Sequence, residues 1–251
     1  MKLSDVYDQL AYGELRQLAL GAGDIAATTT DTPKESFLKL FPLVKSGLTE
    51  LHKRFLLRER ELVVTLVPDQ VVYMLHIDFA AQNTKSSETN KYITDTAALP
   101  FEDDLMRVER IYGTLDAKEY EIPLNQTNNK ESIRTTDYNR LLLPDDTTEA
   151  PWLLETTTLR IVYRADHPAI SKPKANASPL STEISLPSTH LEALTFYIAS
   201  RVMNPIGSGG EFHEGNNYTI KFEAAVQQLK DDNFDASDEY ENDGLERRGF
   251  C

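Results

Sequence analysis

Residues 48–67 read LTELHKRFLLRERELVVTLV, and the hydrophobic period switches within them from about 3.6 to about 2, beyond Arg60. Upstream, Phe37, Phe41, Val44, Leu48, Leu51 and Phe55 step by 4, 3, 4, 3, 4. That spacing predicts one long amphipathic helix with a continuous apolar seam. Thr32-Pro33-Lys34-Glu35 supplies its start: an N-cap, a proline at the first helical position and a capping-box glutamate. Pro42 is expected to kink it, because the ring removes a backbone donor and crowds the Leu38 carbonyl. Downstream, residues 61–67 and 71–76 are β-branched and aromatic runs separated by Pro68-Asp69, which reads as a hairpin.

Further strands are expected at 106–112, 120–124 and 158–163, with polar loops at 81–91 and 125–137. Residues 166–182, rich in Pro, Ser and Ala, read as a connector. Helices occupy both ends of the chain. Leu3, Val6, Tyr7 and Leu10 share one face of a first helix, with Ser4 as its expected N-cap and Asp5 at its positive start. Gly21 and Gly23 end that element, and a Thr-rich linker follows at 28–32. Near the other end Ser188 is the expected N-cap of a helix buried along Leu191, Leu194, Ile198 and Val202. Asn204-Pro205 stops it, Gly207-Ser208-Gly209-Gly210 forms a hinge, and a last helix carries Tyr218, Phe222, Ala225, Val226 and Leu229.

The order implies an α+β protein: a four-helix bundle-like core, a β-rich subdomain inserted between helices 2 and 3, and an extended C-terminal arm. The expected boundaries are 1–59 for the N-terminal helical pair, 60–182 for the insertion, 183–231 for the C-terminal pair and 232–251 for the arm.

With 251 residues the chain is long enough to bury a substantial core. A formal charge of -14 argues against nonspecific affinity for duplex DNA, which rests on Lys and Arg. It is compatible with a protein through which DNA slides. Cys251 is the lone cysteine, so no disulfide within the chain is expected. Neither a targeting segment nor a membrane-spanning run is expected from the pattern.

No catalytic, cofactor or metal site is expected. Histidines 52, 76, 167, 190 and 213 are scattered without ligand spacing, and His213-Glu214 is only an adjacent pair. Gly207–Gly210 follows a helix and precedes Glu211, unlike a phosphate-binding loop, and Leu20–Asp24 fails in the same way. No nucleophile elbow is present, and the pairs Asp103-Asp104, Asp145-Asp146 and Asp231-Asp232 read as solvated loop residues. Residues 48–60 form the one basic cluster, able to touch DNA or an acidic partner. A charged helix face with pairs such as Glu50 and Arg54 is the simpler reading.

The end of the chain has a composition of its own. Residues 231–248 hold eight carboxylates against two arginines, and the chain closes on Arg247-Arg248-Gly249-Phe250-Cys251. Such a segment lacks the apolar residues for a core and reads as an arm ordered by a partner, with the basic-aromatic tip as its anchor.

Several strings resemble the head-to-tail adaptor (head completion, connector) proteins of short-tailed bacteriophages. They are Leu3–Tyr7 with Gly13-Glu14-Leu15, Gly47–Phe55, Thr189–Leu194, Phe222–Ala225 and the closing Gly249-Phe250. The resemblance skips most of the β insertion. It implies a non-enzymatic virion protein at the head–tail interface, assembled in the bacterial cytoplasm as a homo-oligomeric ring of about twelve copies beneath the portal. Arg247, Arg248, Gly249, Phe250 and Cys251 would form the portal-binding arm. The tail nozzle, and tail fibres, would attach on the far side, and DNA would pass through the channel without sequence-specific binding. Two rivals stand beside it. One is another tail component, such as a nozzle or fibre-joining protein. The other is a glycan-binding or hydrolase module using residues 60–165, with Trp152 the one tryptophan available for sugar stacking.

Overall fold

The computed structural model describes residues 1–16, 35–115, 118–145, 150–171, 182–203 and 211–232. In chain order the elements are α1 (Leu3–Tyr12), α2 (Glu35–Arg54), β1 (Glu59–Thr65), β2 (Val72–Met74), β3 (Ile93–Thr94), β4 (Leu105–Leu115), β5 (Lys118–Ile122), β6 (Arg134–Asp137), β7 (Arg140–Leu142), α3 (Trp152–Glu155), β8 (Thr158–Ala165), α4 (Leu191–Val202) and α5 (Glu211–Asp231). They fall into two compact units: Met1–Leu57 with His167–Cys251, and the continuous segment Arg58–Asp166.

The first unit is helical. From Phe41 on, the seam expected on α2 is buried: Phe41, Val44, Leu48 and Leu51 are 7% exposed or less, as is Phe55 just beyond, while the Phe37 side chain lies outside what is described. The helix runs through Pro42. Its expected start at Thr32–Lys34 lies outside the described residues. In α1, Leu3, Val6, Tyr7 and Leu10 point into the same core. Ser4 is not the N-cap: the helix begins at Leu3, and the Asp5 carboxylate accepts from the Lys2 backbone N–H at 2.8 Å. An acidic first-turn side chain thus satisfies an otherwise orphan donor. Backbone bonds tie this end to the later half of the chain, from Leu3 N–H to Thr182 O (2.9 Å) and from Ile184 N–H to Met1 O (2.8 Å).

The expected four-helix bundle-like core is not what these helices form. A bundle needs comparable helices, each turning one apolar stripe to a shared axis. Here α1 has 10 residues and α4 has 12, against 20 and 21 in α2 and α5. The short α4 is the hub on which α1, α2 and α5 all pack. It buries Ala193, Leu194, Thr195, Tyr197, Ile198, Ala199 and Ser200, so it has no single stripe. Leu191 and Val202, expected in its buried stripe, are only partly buried. The chain is α+β, with five helices and two antiparallel sheets in a β-rich middle among its described residues.

The second unit holds the sheets. One has five strands in the order β3-β1-β8-β4-β5, the other three in the order β2-β7-β6. The hairpin expected across Pro68-Asp69 is corrected: β1 pairs β8 and β3, whereas β2 pairs β7. The intervening turn places Asp69 at φ 64, a left-handed conformation that Asp tolerates better than most residues. The Tyr73 hydroxyl clasps that turn, accepting from Val67 N–H at 2.7 Å and donating to Val67 O at 3.2 Å. Residues 134–137, expected as polar loop, form β6. The inner faces carry Leu62, Val64, Ile111, Leu159, Ile161 and Tyr163, all 4% exposed or less.

Candidate functional site

The five residues expected to anchor the arm, Arg247, Arg248, Gly249, Phe250 and Cys251, lie outside the described residues, as does the Gly207–Gly210 hinge. The basic segment 48–60 is described, and its guanidinium groups are engaged within the protein. Arg54 donates to Glu50 at 2.8 Å and grips Glu223 on α5 through two bonds of 2.6 and 2.9 Å. Its guanidinium also lies 5.0 Å from the Phe222 ring centre. The bidentate bond to Arg54 holds the Glu223 carboxyl below the usual carboxylate range.

Arg58 and Arg60 belong to the β unit, where Asp104 gathers them. Its Oδ2 accepts from both guanidiniums at 2.9 Å, and its Oδ1 accepts from the Tyr163 hydroxyl at 2.9 Å. Arg58 also bonds Asp166 O, and Arg60 bonds Pro100 O. Glu102 completes the group, 3.2 Å from Arg58 and 3.0 Å from Arg60. Burial, reinforced by the Asp104 charge, pushes the Tyr163 phenol well above its ordinary range, so it stays a donor. The cluster fastens residues 100–104 across β1 and β8. Asp104 is thus a half-buried partner of two arginines, not half of a solvated pair with Asp103.

Two of the histidines, His52 and His167, meet in the helical unit. His52 is fully buried, with Nδ1 2.9 Å from Leu48 O, and its ring meets His167 edge-on at 5.2 Å. His167 places Nδ1 2.6 Å from Pro168 O, while its Nε2 accepts from Ser185 N–H at 3.1 Å. That pattern assigns the neutral ring protonated on Nδ1. His190 packs on Phe55 at 4.8 Å. His76 sits apart, 3.2 Å from Asp78 and 3.6 Å from Asp103. Among the described residues no group of three or more His, Cys, Asp or Glu side chains could hold a metal ion. Trp152 is only 9% exposed, and its indole N–H donates to Glu131 O at 3.2 Å. It supports the β core and is not a stacking platform for sugar.

Two surfaces among the described residues differ in character. The outer face of the five-stranded sheet is a charge ladder centred on Arg160, which bonds Glu119 at 2.8 and 2.6 Å and Glu61 at 2.7 Å and lies over the Tyr112 ring at 4.3 Å. Arg164 bonds Glu109 at 2.9 Å beside it. The helical unit presents a different surface: a cavity of about 440 Å³ lined by Gly13, Glu14, Met203, Tyr218, Ile220 and Lys221. Ile220 is 68% exposed, and Tyr12, next to Gly13, is 58% exposed. Neither was anticipated. Ile220 falls off the α5 stripe of Tyr218, Phe222, Val226 and Leu229, which was the available signal.

Among the described residues no helix is long and apolar enough to cross a membrane. No protein-family model matches this chain, and no curated protein does.

Proposed function

We propose that the protein is a structural, non-enzymatic component of a bacteriophage virion. It acts as a head-to-tail adaptor, forming a ring of about twelve copies beneath the portal. The ring closes the DNA-filled head and carries the tail nozzle and fibres. One observation carries the reading: the strings that resemble such adaptors, Leu3–Tyr7, Gly47–Phe55, Thr189–Leu194 and Phe222–Ala225, come from distant parts of the sequence yet fall in one helical unit. The β unit interrupts that unit as one continuous segment, Arg58–Asp166.

In this reading the helical unit makes the ring, with the surface around Tyr12 and Ile220 available to a neighbouring copy. Apolar surface marks an association site where it is contiguous, and Ile220 lines the same cavity as Gly13, the neighbour of Tyr12. At -14 per copy the ring is strongly acidic, so DNA slides through the channel without adhering. The acidic segment after Asp232 reaches the portal, with Arg247, Arg248 and Phe250 as its anchors. Assembly takes place in the bacterial cytoplasm and leaves the protein at the head–tail interface of the virion.

Deleting residues 232–251 tests this assignment. The shortened chain keeps its circular dichroism and unfolding transition but no longer joins portal complexes. Normal incorporation of that variant into particles rules out the arm as the portal contact.

A further inference from the structure

A second groove, about 420 Å³, lies on the β unit, where β1 ends and β2 begins. Its apolar lining is Leu66, Val67 and Val71, Leu143 and Pro144 after β7, and Leu153 and Leu154 of α3. Leu154 is 72% exposed, an apolar side chain held in solvent by a short helix whose own tryptophan is buried. The charged lining residues are Asp69 and Asp145, both exposed carboxylates with no partner among the described residues. Lys130 and Arg134 line an adjoining cavity of about 240 Å³, which shares Val71, Leu143, Pro144 and Asp145 with the groove.

We infer that this groove binds an extended segment of a partner polypeptide in which an aliphatic or aromatic side chain is flanked by Lys or Arg. The apolar lining that includes Leu154 takes the central side chain, and Asp69 and Asp145 pair with its flanking cations. The carboxylates of Asp69 and Asp145, the charged side chains of the groove itself, repel phosphate, which disfavours nucleic acid and anionic lipid as occupants. Pairing along the edge of β2 is already blocked. The Tyr92 hydroxyl accepts from Met74 N–H and donates to Met74 O, while Gln70 Nε2 donates to Val72 O. Recognition therefore falls to side chains in the groove and not to strand addition. The inference rests on the groove alone and stands apart from the adaptor reading.

The test titrates the full-length chain with the acetylated, amidated peptide Gly-Arg-Leu-Phe-Leu-Arg-Gly and with its counterpart carrying Glu at both Arg positions, followed by heteronuclear NMR. Saturable shifts are expected at Leu66–Val71, Leu143–Asp145 and Leu153-Leu154, with the Glu peptide binding about tenfold more weakly. Replacing Asp69→Asn together with Asp145→Asn weakens the Arg peptide by about fivefold. Leu154→Ser weakens both peptides while Trp152 fluorescence stays unchanged, which shows that the unit is folded. Equal binding of the two peptides, shifts mapping elsewhere, or no saturable shift overturns the proposal.

Discussion

Gly47 lies directly beneath Tyr197: a Cβ on Gly47 would stand 2.9 Å from Tyr197 Cδ1 and 2.7 Å from Leu194 Cδ1. The Ser46 hydroxyl meets the Tyr197 hydroxyl at 3.0 Å, so α2 and α4 touch through a residue that has no side chain. Gly47→Ala gains about 1 kcal/mol of helix propensity. It also forces two packed side chains aside, an overpacking cost of about 1–3 kcal/mol. The expected outcome is net destabilisation in urea unfolding, larger for Gly47→Val. Adding Tyr197→Leu recovers part of the loss, and strict additivity of the two changes contradicts the contact.

The Arg54–Glu223 pair predicts an acid-sensitive contribution to stability. Its bond to Arg54 depresses the Glu223 carboxyl below its ordinary 4.5. Its stabilisation is therefore complete above about pH 4.5 and lost as pH falls through the lower folded-state value. Arg54 is 29% and Glu223 53% exposed, which limits the pair to about 0.5–1 kcal/mol. Urea midpoints at neutral and acid pH measure it. Arg54→Met is expected to lower the midpoint at neutral pH and to narrow its gap from the unaltered protein below pH 4.5.

The helical seam of α2 and the strands β4, β5 and β8 were legible because each carries a clear period of its own. What stayed hidden has physical causes. α4 is surrounded by α1, α2 and α5, so small residues such as Ala193, Ala199 and Ser200 are buried and blur its stripe. β1 and β2 are adjacent in sequence yet join different sheets, a choice made by distant partners such as Arg160 opposite Val63. β6 reads Arg-Thr-Thr-Asp and pairs with β7 at the edge of its sheet, where burial leaves little imprint. For the candidate site, the acidic arm and basic cluster were visible as composition. That Arg54, Arg58 and Arg60 are engaged internally depends on Glu223 and Asp104, far away in the chain.

Asp104 is the keystone of the β unit's polar cluster, with its side chain 9% exposed and three donors converging on it. Asp104→Ala takes one acceptor from each of two guanidiniums, which keep Glu102 and the Asp166 and Pro100 carbonyls, and leaves the buried Tyr163 phenol without its acceptor, a loss of about 2–3 kcal/mol. Tyr163→Phe removes one hydrogen bond and costs about 1 kcal/mol. Trp152 is the only tryptophan and lies in this unit, so its fluorescence follows β-unit unfolding selectively. The Ala variant is expected to unfold earlier by that signal than the Phe variant, and equal midpoints contradict the assigned hierarchy.

Native mass spectrometry of the full-length chain mixed with purified portal rings tests the adaptor assignment most directly. The expected result is a discrete complex with about twelve copies on each portal ring, absent when residues 232–251 are deleted. A folded full-length chain that remains unbound at micromolar portal contradicts the account.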